Sequence, residues 1–401
     1  MTTTTRHRPR PPTARLATLV GRVRRGPAAL IRQPRLRFGT VPPTFTLLLA
    51  LIVVLNLVGL VMVLSASSVN GLSEYGSSWY HVKRQAIWAT MGVSALLVTV
   101  LVDYRRWRRL ATFGLVITFL LLLAVLVPGV STRSNGASRW LSLGPINVQP
   151  AELAKLTMLV FVADLLARRI HRIDETAITL RPVLVVTGSL AVLVMLQPDL
   201  GTTILIGAVM FTLLFIAGVP LKELSLTALV GGGGAMAAAI VAPYRRNRML
   251  AFIDPWDDPL NTSYQTIQSL VGIANGGVGG VGLGSSRAKW GFLPEAHTDF
   301  IFAIVAEELG LVGAMLIIGM FLAIGLLGFR TALRAPEPFG MLLAAGVTSW
   351  LLVQAFVNIG AVVGVLPITG MPMPFVSFGG SSLVVTMTAA GMLLNIARQS
   401  G

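Results

Sequence analysis

Thr44-Phe-Thr-Leu-Leu-Leu-Ala-Leu-Ile-Val-Val-Leu-Asn-Leu-Val-Gly-Leu-Val-Met-Val-Leu-Ser65 runs without a single charge. As an α-helix it is about 33 Å long at 1.5 Å per residue, enough to cross the hydrocarbon core of a bilayer. It is too long for the apolar core of a signal peptide. Ser65-Ala66-Ser67 mimics a cleavage site, but the length favours an uncleaved first membrane helix.

The same pattern recurs along the chain. Apolar runs near 86–103, 109–128, 153–168, 182–197, 200–218, 221–242, 299–328, 340–364 and 376–397 predict further spans, of which 153–168 and 182–197 are short. The fold expected is an all-α integral membrane protein. It is a polytopic bundle of about ten transmembrane helices, with a large outer loop, 243–298, between the seventh and eighth. Composition agrees. Of 401 residues 54% are hydrophobic and 12% charged, with mean hydropathy +0.77. A soluble domain carries roughly 25% charge.

Residues 1–43 hold ten Arg and no acid, and read as a basic, disordered cytoplasmic tail ahead of a membrane domain over 44–401. The net charge of +16 would suggest nucleic acid in a soluble protein. Here it marks cytoplasmic loops and anionic lipid instead. No cysteine is present, which excludes disulfides and thiolate metal sites.

With the N-terminus inside and the spans alternating, 22 Lys and Arg fall inside and 9 outside. That bias predicts cytoplasmic N- and C-termini. Seven of the nine outward cations sit in the loops 129–152 and 243–298. Cations kept outside against the general tendency suggest anion binding; the plainer reading is that long outer loops escape the rule.

The first of these loops carries Arg133, Arg139 and Trp140, and leads into Gln149-Pro150-Ala151-Glu152 with Lys155 three residues on. That spacing predicts a Glu152–Lys155 ion pair at a helix start. Asp199 lies in a tight break and suits a helix cap.

The second loop opens with Arg245, Arg246 and Arg248. Ile267, Leu270, Val271 and Ala274 follow at helical spacing, which predicts a short helix on the membrane surface. The glycine-rich run Gly276–Gly284 leads to Arg287 and Lys289, and is a candidate phosphate cradle or simply a flexible loop. Glu295, His297 and Asp299 then cluster at the lip of the long span. A carboxylate in that company can hold a perturbed pKa and accept a proton. Glu307 and Glu308 lie two turns deeper, where carboxylates are costly unless partnered. A final broken segment, Leu366 to Ser382, contains Pro367, Pro372, Pro374, Ser377 and Ser381. Irregular backbone at that depth must be buried in protein or line a cavity. Gly231–Gly234, in the seventh span, allow either close packing or bending.

Taken together, Asn135-Gly-Ala-Ser-Arg-Trp140, Gln149-Pro-Ala-Glu152, Gln197-Pro-Asp-Leu-Gly-Thr202, Tyr264-Gln265, Gln268-Ser269, Gly282-Leu-Gly-Ser285, Leu293–Phe302, Glu307-Glu-Leu-Gly310 and Leu366–Ser382 resemble the SEDS (shape, elongation, division, sporulation) membrane glycosyltransferases. Leu60–Ser68, Ser77–Tyr80 and Lys83–Gln85 resemble its division branch, with rod elongation the near alternative. Ala151 and Leu141 are small departures, where Ser and Ile are common.

The resemblance implies polymerisation of lipid II into β-1,4 glycan strands at the outer face of the bacterial cytoplasmic membrane, at the division septum. It places the family's essential aspartate on Asp299, as general base. Arg139, Arg245, Arg246, Arg248 and Lys289 are then candidates for the pyrophosphates. Trp140 is a candidate for a sugar, and Glu295 and His297 for positioning. Glu152, Lys155, Asp199, Glu307, Glu308, Ser377 and Ser381 are supporting polar groups. A class B penicillin-binding protein transpeptidase and division-site regulators are the expected partners. The residues require no cofactor and offer no metal ligand set, though a divalent cation assisting the leaving group is compatible with them. The competing readings are a lipid II flippase or transporter and a catalytically idle scaffold.

Overall fold

The computed structural model describes residues 42–129, 131–134, 137–144, 146–241 and 243–400. The basic tail expected over 1–43 lies almost wholly outside them. Among the described residues twelve α-helices follow one another: α1 (Pro43–Tyr75), α2 (Tyr80–Leu101), α3 (Trp107–Leu126), α4 (Pro150–Arg168), α5 (Thr176–Leu196), α6 (Leu200–Ala217), α7 (Leu221–Val241), α8 (Pro243–Ile253), α9 (Tyr264–Gly276), α10 (Ile301–Arg334), α11 (Pro338–Val362) and α12 (Gly380–Gln399). Between α3 and α4 lies a small antiparallel sheet in the order β1 (Ser131–Ser134), β2 (Ala137–Leu143), β3 (Ile146–Val148). The helical membrane bundle is as expected, and the sheet is a small addition to it. The strands are too short and polar to show a period-two pattern.

Among the described residues nine helices are long and apolar enough to cross a membrane. The tenth expected span is α4. It has the length, at 19 residues, but carries Glu152, Lys155, Asp164 and Arg168. Twelve of its residues are buried, and it packs between α3, α6 and α11. Glu152, Lys155 and Asp164 are therefore covered by protein instead of facing lipid, while Arg168, in the last turn, is exposed. Several boundaries also move. α1 continues ten residues past Ser65, and α5 begins at Thr176, six residues before Pro182. Lys83 and Arg84, read as loop, lie in the first turn of α2.

The centre of the bundle is built on α11 and α12, the most buried of the nine spans. α12 packs along α2, and α10 along α11 and α1. α7 sits at the periphery against α6 and α8, and nothing lies within 4 Å of where a Cβ would stand on Gly231–Gly234. Neither close packing nor a bend explains those glycines.

α10 is broken at Gly310 (φ 67°, ψ −165°). The glycine run of the preceding loop fills the break. Val281 N–H donates to Glu307 O (3.0 Å), Gly282 N–H to Glu308 O (3.0 Å), and Leu311 N–H to Gly277 O (2.9 Å). A helix break leaves backbone groups unpaired, and this loop supplies their partners. The phosphate-cradle reading of Gly276–Gly284 is corrected by that pairing, because the amides it would use at Val281 and Gly282 are taken.

α9 is the short helix expected over this stretch. It lies against α10 through Thr266, Ile267, Ser269, Gly272 and Gly276, while Leu270 and Val271 face outward. Small residues set the buried face because the two backbones come close. A Cβ on Gly276 would overlap Ala306 O.

Candidate active site

Asp299 ends the turn that leads into α10. The turn is tight because Glu295, at φ 56°, presents its carbonyl to Thr298 N–H (3.1 Å) and Phe300 N–H (3.2 Å). Thr298 Oγ1 donates to Glu295 Oε2 (2.7 Å). Two further bonds fix the segment in the bundle. Asn358 Nδ2, from α11, donates to both Asp299 O and Met371 O (2.7 Å each). Phe378 N–H donates to His297 O (2.9 Å). One side-chain amide thus ties the Asp299 turn to the broken segment that precedes α12.

The depth of Asp299 follows from α11. Asn358 lies twenty residues along α11 from Pro338, a rise of about 30 Å, the thickness of a hydrocarbon core. The carboxylate therefore lies about one hydrocarbon thickness along the bundle from the start of α11. It faces a small cavity lined by Phe300, Asn358, Ile368, Thr369, Gly370 and Met371 among others. Gly370 is at φ +73°, and a Cβ there would stand 3.5 Å from Asp299 Oδ2.

Burial, with Glu295 adding to it, lifts the Asp299 pKa from 3.8 to about 7. Arg248 and Arg139 pull the other way, and Asp199 opposes them. A carboxyl poised there exchanges a proton at neutral pH. His297 moves oppositely. Burial, then the neighbouring His81, push it down to about 4 against the pull of Glu295. It is neutral at pH 7 and adds no positive charge for an anion. Its ring lies 4.7 Å from that of His81 and 5.4 Å from Phe378.

The candidate cations separate into groups. Arg139 donates from Nε to Gln197 O (2.9 Å) and from Nη2 to Pro198 O (2.6 Å). It braces a turn whose Pro198 is held at φ 27°. Asp199 in that turn caps α6, accepting from Thr202 N–H (2.9 Å), Thr202 Oγ1 (2.9 Å) and Gln149 Nε2 (3.3 Å). Arg248 is half-buried, with Nη1 3.4 Å from Ile368 O, beside the Asp299 cavity. Arg246 is exposed on α8, and the Arg245 side chain lies outside the described residues. Trp140 is partly exposed on β2, paired across the sheet with Thr132.

Lys289 belongs elsewhere. It is buried, with Nζ donating to Gly284 O and 3.5 Å from Glu308 Oε1. Glu308 also accepts from Ser65 Oγ (2.6 Å) and Ser286 N–H (3.2 Å), while Glu307 accepts from Ser286 Oγ, Arg287 N–H (3.1 Å) and Ala288 N–H (3.3 Å). These carboxylates clamp the loop to the broken helix and to α1, so the structure separates Lys289 from the pyrophosphate candidates. Lys289→Met should lower the melting temperature, because Glu308 would remain as a buried charge without its cation. The KM of the surviving protein should not change; a raised KM in a protein of normal stability would return Lys289 to the substrate.

The supporting polar groups are similarly local. Glu152 and Lys155 pair at 2.7 Å, both buried, with Lys155 Nζ 3.3 Å from Gln354 Oε1 and over the Trp350 ring. Gln354 Nε2 in turn donates to Pro372 O (2.7 Å). Ser377 Oγ accepts from Met373 N–H (2.8 Å), and Ser381 Oγ from Gln149 N–H (3.2 Å). Among the described residues no three His, Asp or Glu side chains gather as a metal site. No spacing rule singles out Asn358, Gln354, Ser65 or Ser286, which bond Asp299 O, Lys155, Glu308 and Glu307 far away in the chain. Only the cost of burying amides and hydroxyls in a membrane span hinted at them.

Comparison with known proteins gives a consistent picture. The family model FTSW_RODA_SPOVE, described as "Cell cycle protein", matches residues 45–401. The chain is 42% identical over 349 residues to a probable peptidoglycan glycosyltransferase FtsW of Geobacter metallireducens, covering 87% of this chain and 93% of that one. It is 41% identical over 356 residues to the stage V sporulation protein E of Bacillus subtilis, covering 88% and 97%. Among solved structures it resembles a chain from a peptidoglycan synthase complex studied for its coordination of polymerization and crosslinking (TM-score 0.72, 32% identity, 88% and 97% covered). It also resembles the rod shape determining protein RodA of Thermus thermophilus (TM-score 0.63, 27% identity, 88% and 96% covered).

Proposed function

From the premise that the chain belongs to the FtsW, RodA and SpoVE family of cell cycle proteins, we propose the following reading: it is a multi-pass membrane peptidoglycan glycosyltransferase that polymerises lipid II, with Asp299 as its general base. The 4-hydroxyl of the acceptor GlcNAc attacks the anomeric carbon of the donor MurNAc. The O4–C1 bond forms, the C1–O bond to undecaprenyl pyrophosphate breaks, and α configuration becomes β. The hydroxyl proton passes to Asp299 Oδ. A single displacement needs one base and help for the departing pyrophosphate, not the carboxylate pair of a glycosidase.

The observation that carries this reading is the place and pKa of Asp299. It is a carboxyl titrating near 7, about one hydrocarbon thickness along from the start of α11, beside a cavity and within the field of Arg248 and Arg139. A lipid-linked pyrophosphate lies at that depth. Arg248, half-buried next to the cavity, is assigned to it, with Arg246 further out; a divalent cation bridging the pyrophosphate is compatible with both. Arg139 and His297 position, through the 197–199 turn and the Phe378 contact. The Asp299 end faces outward, both termini are cytoplasmic, and the relatives named FtsW favour action at the division septum. The likeness to a synthase complex supports a crosslinking transpeptidase of the class B penicillin-binding type as partner.

The deciding experiment supplies purified protein and that partner with lipid II in detergent, where no leaflets exist to be crossed. Glycan chains are the expected product; their absence with active partner present would favour the flippase reading. The pH profile should follow the base. Turnover should rise through an apparent pKa near 7 and level off above it, because only ionised Asp299 accepts the proton. Arg248→Gln removes a cation that favours the ionised form, so this limb should move to higher pH while KM rises. A limb unmoved in Arg248→Gln would separate Arg248 from the base.

A further inference from the structure

The segment between α11 and α12 contains Pro367, Pro372 and Pro374 and forms no helix or strand. Its carbonyls join no ladder, so they need partners from elsewhere in the protein. Two of them, adjacent in the chain, are met from one face of α11. Asn358 Nδ2 donates to Met371 O and Gln354 Nε2 to Pro372 O, at 2.7 Å each. Four residues apart, the two amides stand one helical turn from each other. The same segment closes on the base. A Cβ on Gly370 would stand 3.5 Å from Asp299 Oδ2.

Gln354 differs from Asn358 in what stands behind it. It is fully buried, and its Oε1 accepts from Trp350 Nε1 (2.7 Å) and lies 3.3 Å from Lys155 Nζ. An indole N–H and an ammonium can only donate. The amide therefore cannot be turned over: its oxygen must face these two donors and its nitrogen must face Pro372 O. Lys155 is itself held by Glu152 at 2.7 Å, and both are buried. A cation at the amide oxygen strengthens the N–H donor on the other side of the group. An ion pair on α4 thus ends, through one amide, on the backbone beside Asp299. We propose that Gln354 is a positioning residue for Asp299, holding the Gly370–Pro372 backbone against the carboxyl with its amide oriented by Lys155 and Trp350. This rests on the reading of Asp299 as the base and adds the device that keeps the base covered.

Gln354→Met tests it, because methionine keeps the volume and removes the bonds on both sides. It leaves in place Glu295, Arg248, Asp199 and Arg139, the charged groups that act on Asp299, and the Glu152–Lys155 pair that faces position 354. The full chain is assayed on lipid II with the transpeptidase supplied. In Gln354→Met kcat should fall about tenfold or more, as expected for a misplaced base, with KM changed less than about twofold. The limb of the pH profile should move to lower pH. Burial is the largest cause that lifts Asp299, and a loosened segment lets water reach the carboxyl. Amide hydrogen exchange over residues 366–378 should quicken, which is read without any turnover. Gln354→Glu is the second variant. Its ionised carboxylate keeps the acceptor bonds to Trp350 and Lys155 and cannot donate to Pro372 O. Its kcat and exchange should change as in Gln354→Met, although Lys155 keeps its partner. Wild-type kcat and wild-type exchange in either folded variant overturn the proposal. So does a lowered melting temperature in Gln354→Met with kcat and the pH limb unmoved, since packing alone would then be lost. A wild-type protein that makes no glycan overturns the glycosyltransferase reading instead, and the exchange comparison still decides whether Gln354 holds the segment.

Discussion

Purified Asp299→Asn protein is expected to polymerise lipid II at least about a thousandfold more slowly than wild type, within the range that positioned acid–base groups contribute. The amide keeps the shape of the carboxyl and leaves the backbone bond from Asn358 in place. It cannot take the proton of the attacking hydroxyl. Loss of folding is the competing explanation, and the sign of the stability change excludes it. Asp299 titrates near 7 in the folded protein against 3.8 for an ordinary carboxyl. The folded state therefore binds the proton more tightly than the unfolded state. Stability falls as the pH rises from about 4 to about 7 and stays lower above. Asparagine removes that loss. Asp299→Asn should melt at a higher temperature than wild type at pH 8, with the gap closing toward pH 4. The full linkage is up to about 4 kcal/mol, reduced by solvent at the partly exposed edge of the side chain. A variant both dead and more stable at pH 8 marks a functional group held against the interest of the fold. Near-normal glycan from Asp299→Asn would end its role as base.

The bundle was legible in the sequence because a span leaves a local mark. Twenty apolar residues in a row need no knowledge of their neighbours, and Thr44–Ser65 is enough to begin. What moved were the places where burial in protein replaces burial in lipid. Three charges of α4, Glu152, Lys155 and Asp164, are tolerated because α3, α6 and α11 cover them, and nothing in residues 150–168 announces those neighbours. The first turns of α5 read as loop because they carry Thr179, Arg181 and Pro182, polar or helix-breaking residues ahead of the apolar run.

Within the site, local signals again succeeded and distant ones failed. Asp199 as a cap and Glu152–Lys155 as a pair are matters of three residues. Asp299 was singled out by its place at the head of an apolar helix, beside Glu295 and His297, and the structure sets it against a cavity. Lys289 was read toward phosphate because its partner Glu308 is nineteen residues away, beyond the reach of spacing rules. Gly276–Gly284 resembled an anion nest because a nest and a backbone patch need the same freedom from side chains. Choosing between them requires knowing that α10 breaks at Gly310. Asn358 carried only the general cost of burying an amide in a span, since its partners Asp299 and Met371 are known only once everything around it has been placed.

Gly310→Ala should be the most damaging substitution outside the chemistry itself. At φ 67° and ψ −165° the residue occupies a region open almost only to glycine, which alone costs an L side chain about 1–3 kcal/mol. Space adds to the cost. A Cβ there would overlap Gly280 N and stand 2.5 Å from Val278 O, both backbone atoms that no rotamer change can move. Relief requires the loop to leave the break. The bonds from Val281 N–H to Glu307 O, Gly282 N–H to Glu308 O and Leu311 N–H to Gly277 O would go with it. The total should exceed about 3 kcal/mol, since overpacking is added to strain. The consequence reaches the site, because Ile301–Leu309 carries Asp299 at its head and the break sets where that segment points. Gly310→Ala should therefore lose both melting temperature and turnover, whereas Asp299→Asn loses turnover alone. The chain has no cysteine, so a single Ala288→Cys reports the loop without background. Ala288 is 6% exposed and its N–H donates to Glu307. Its thiol should react slowly in the otherwise native protein and quickly once Gly310→Ala is added. Equal labelling rates in the two backgrounds, with turnover retained, would show that the break tolerates a side chain and that Asp299 is positioned by its bond to Asn358 and by the Phe378 bond to His297 without it.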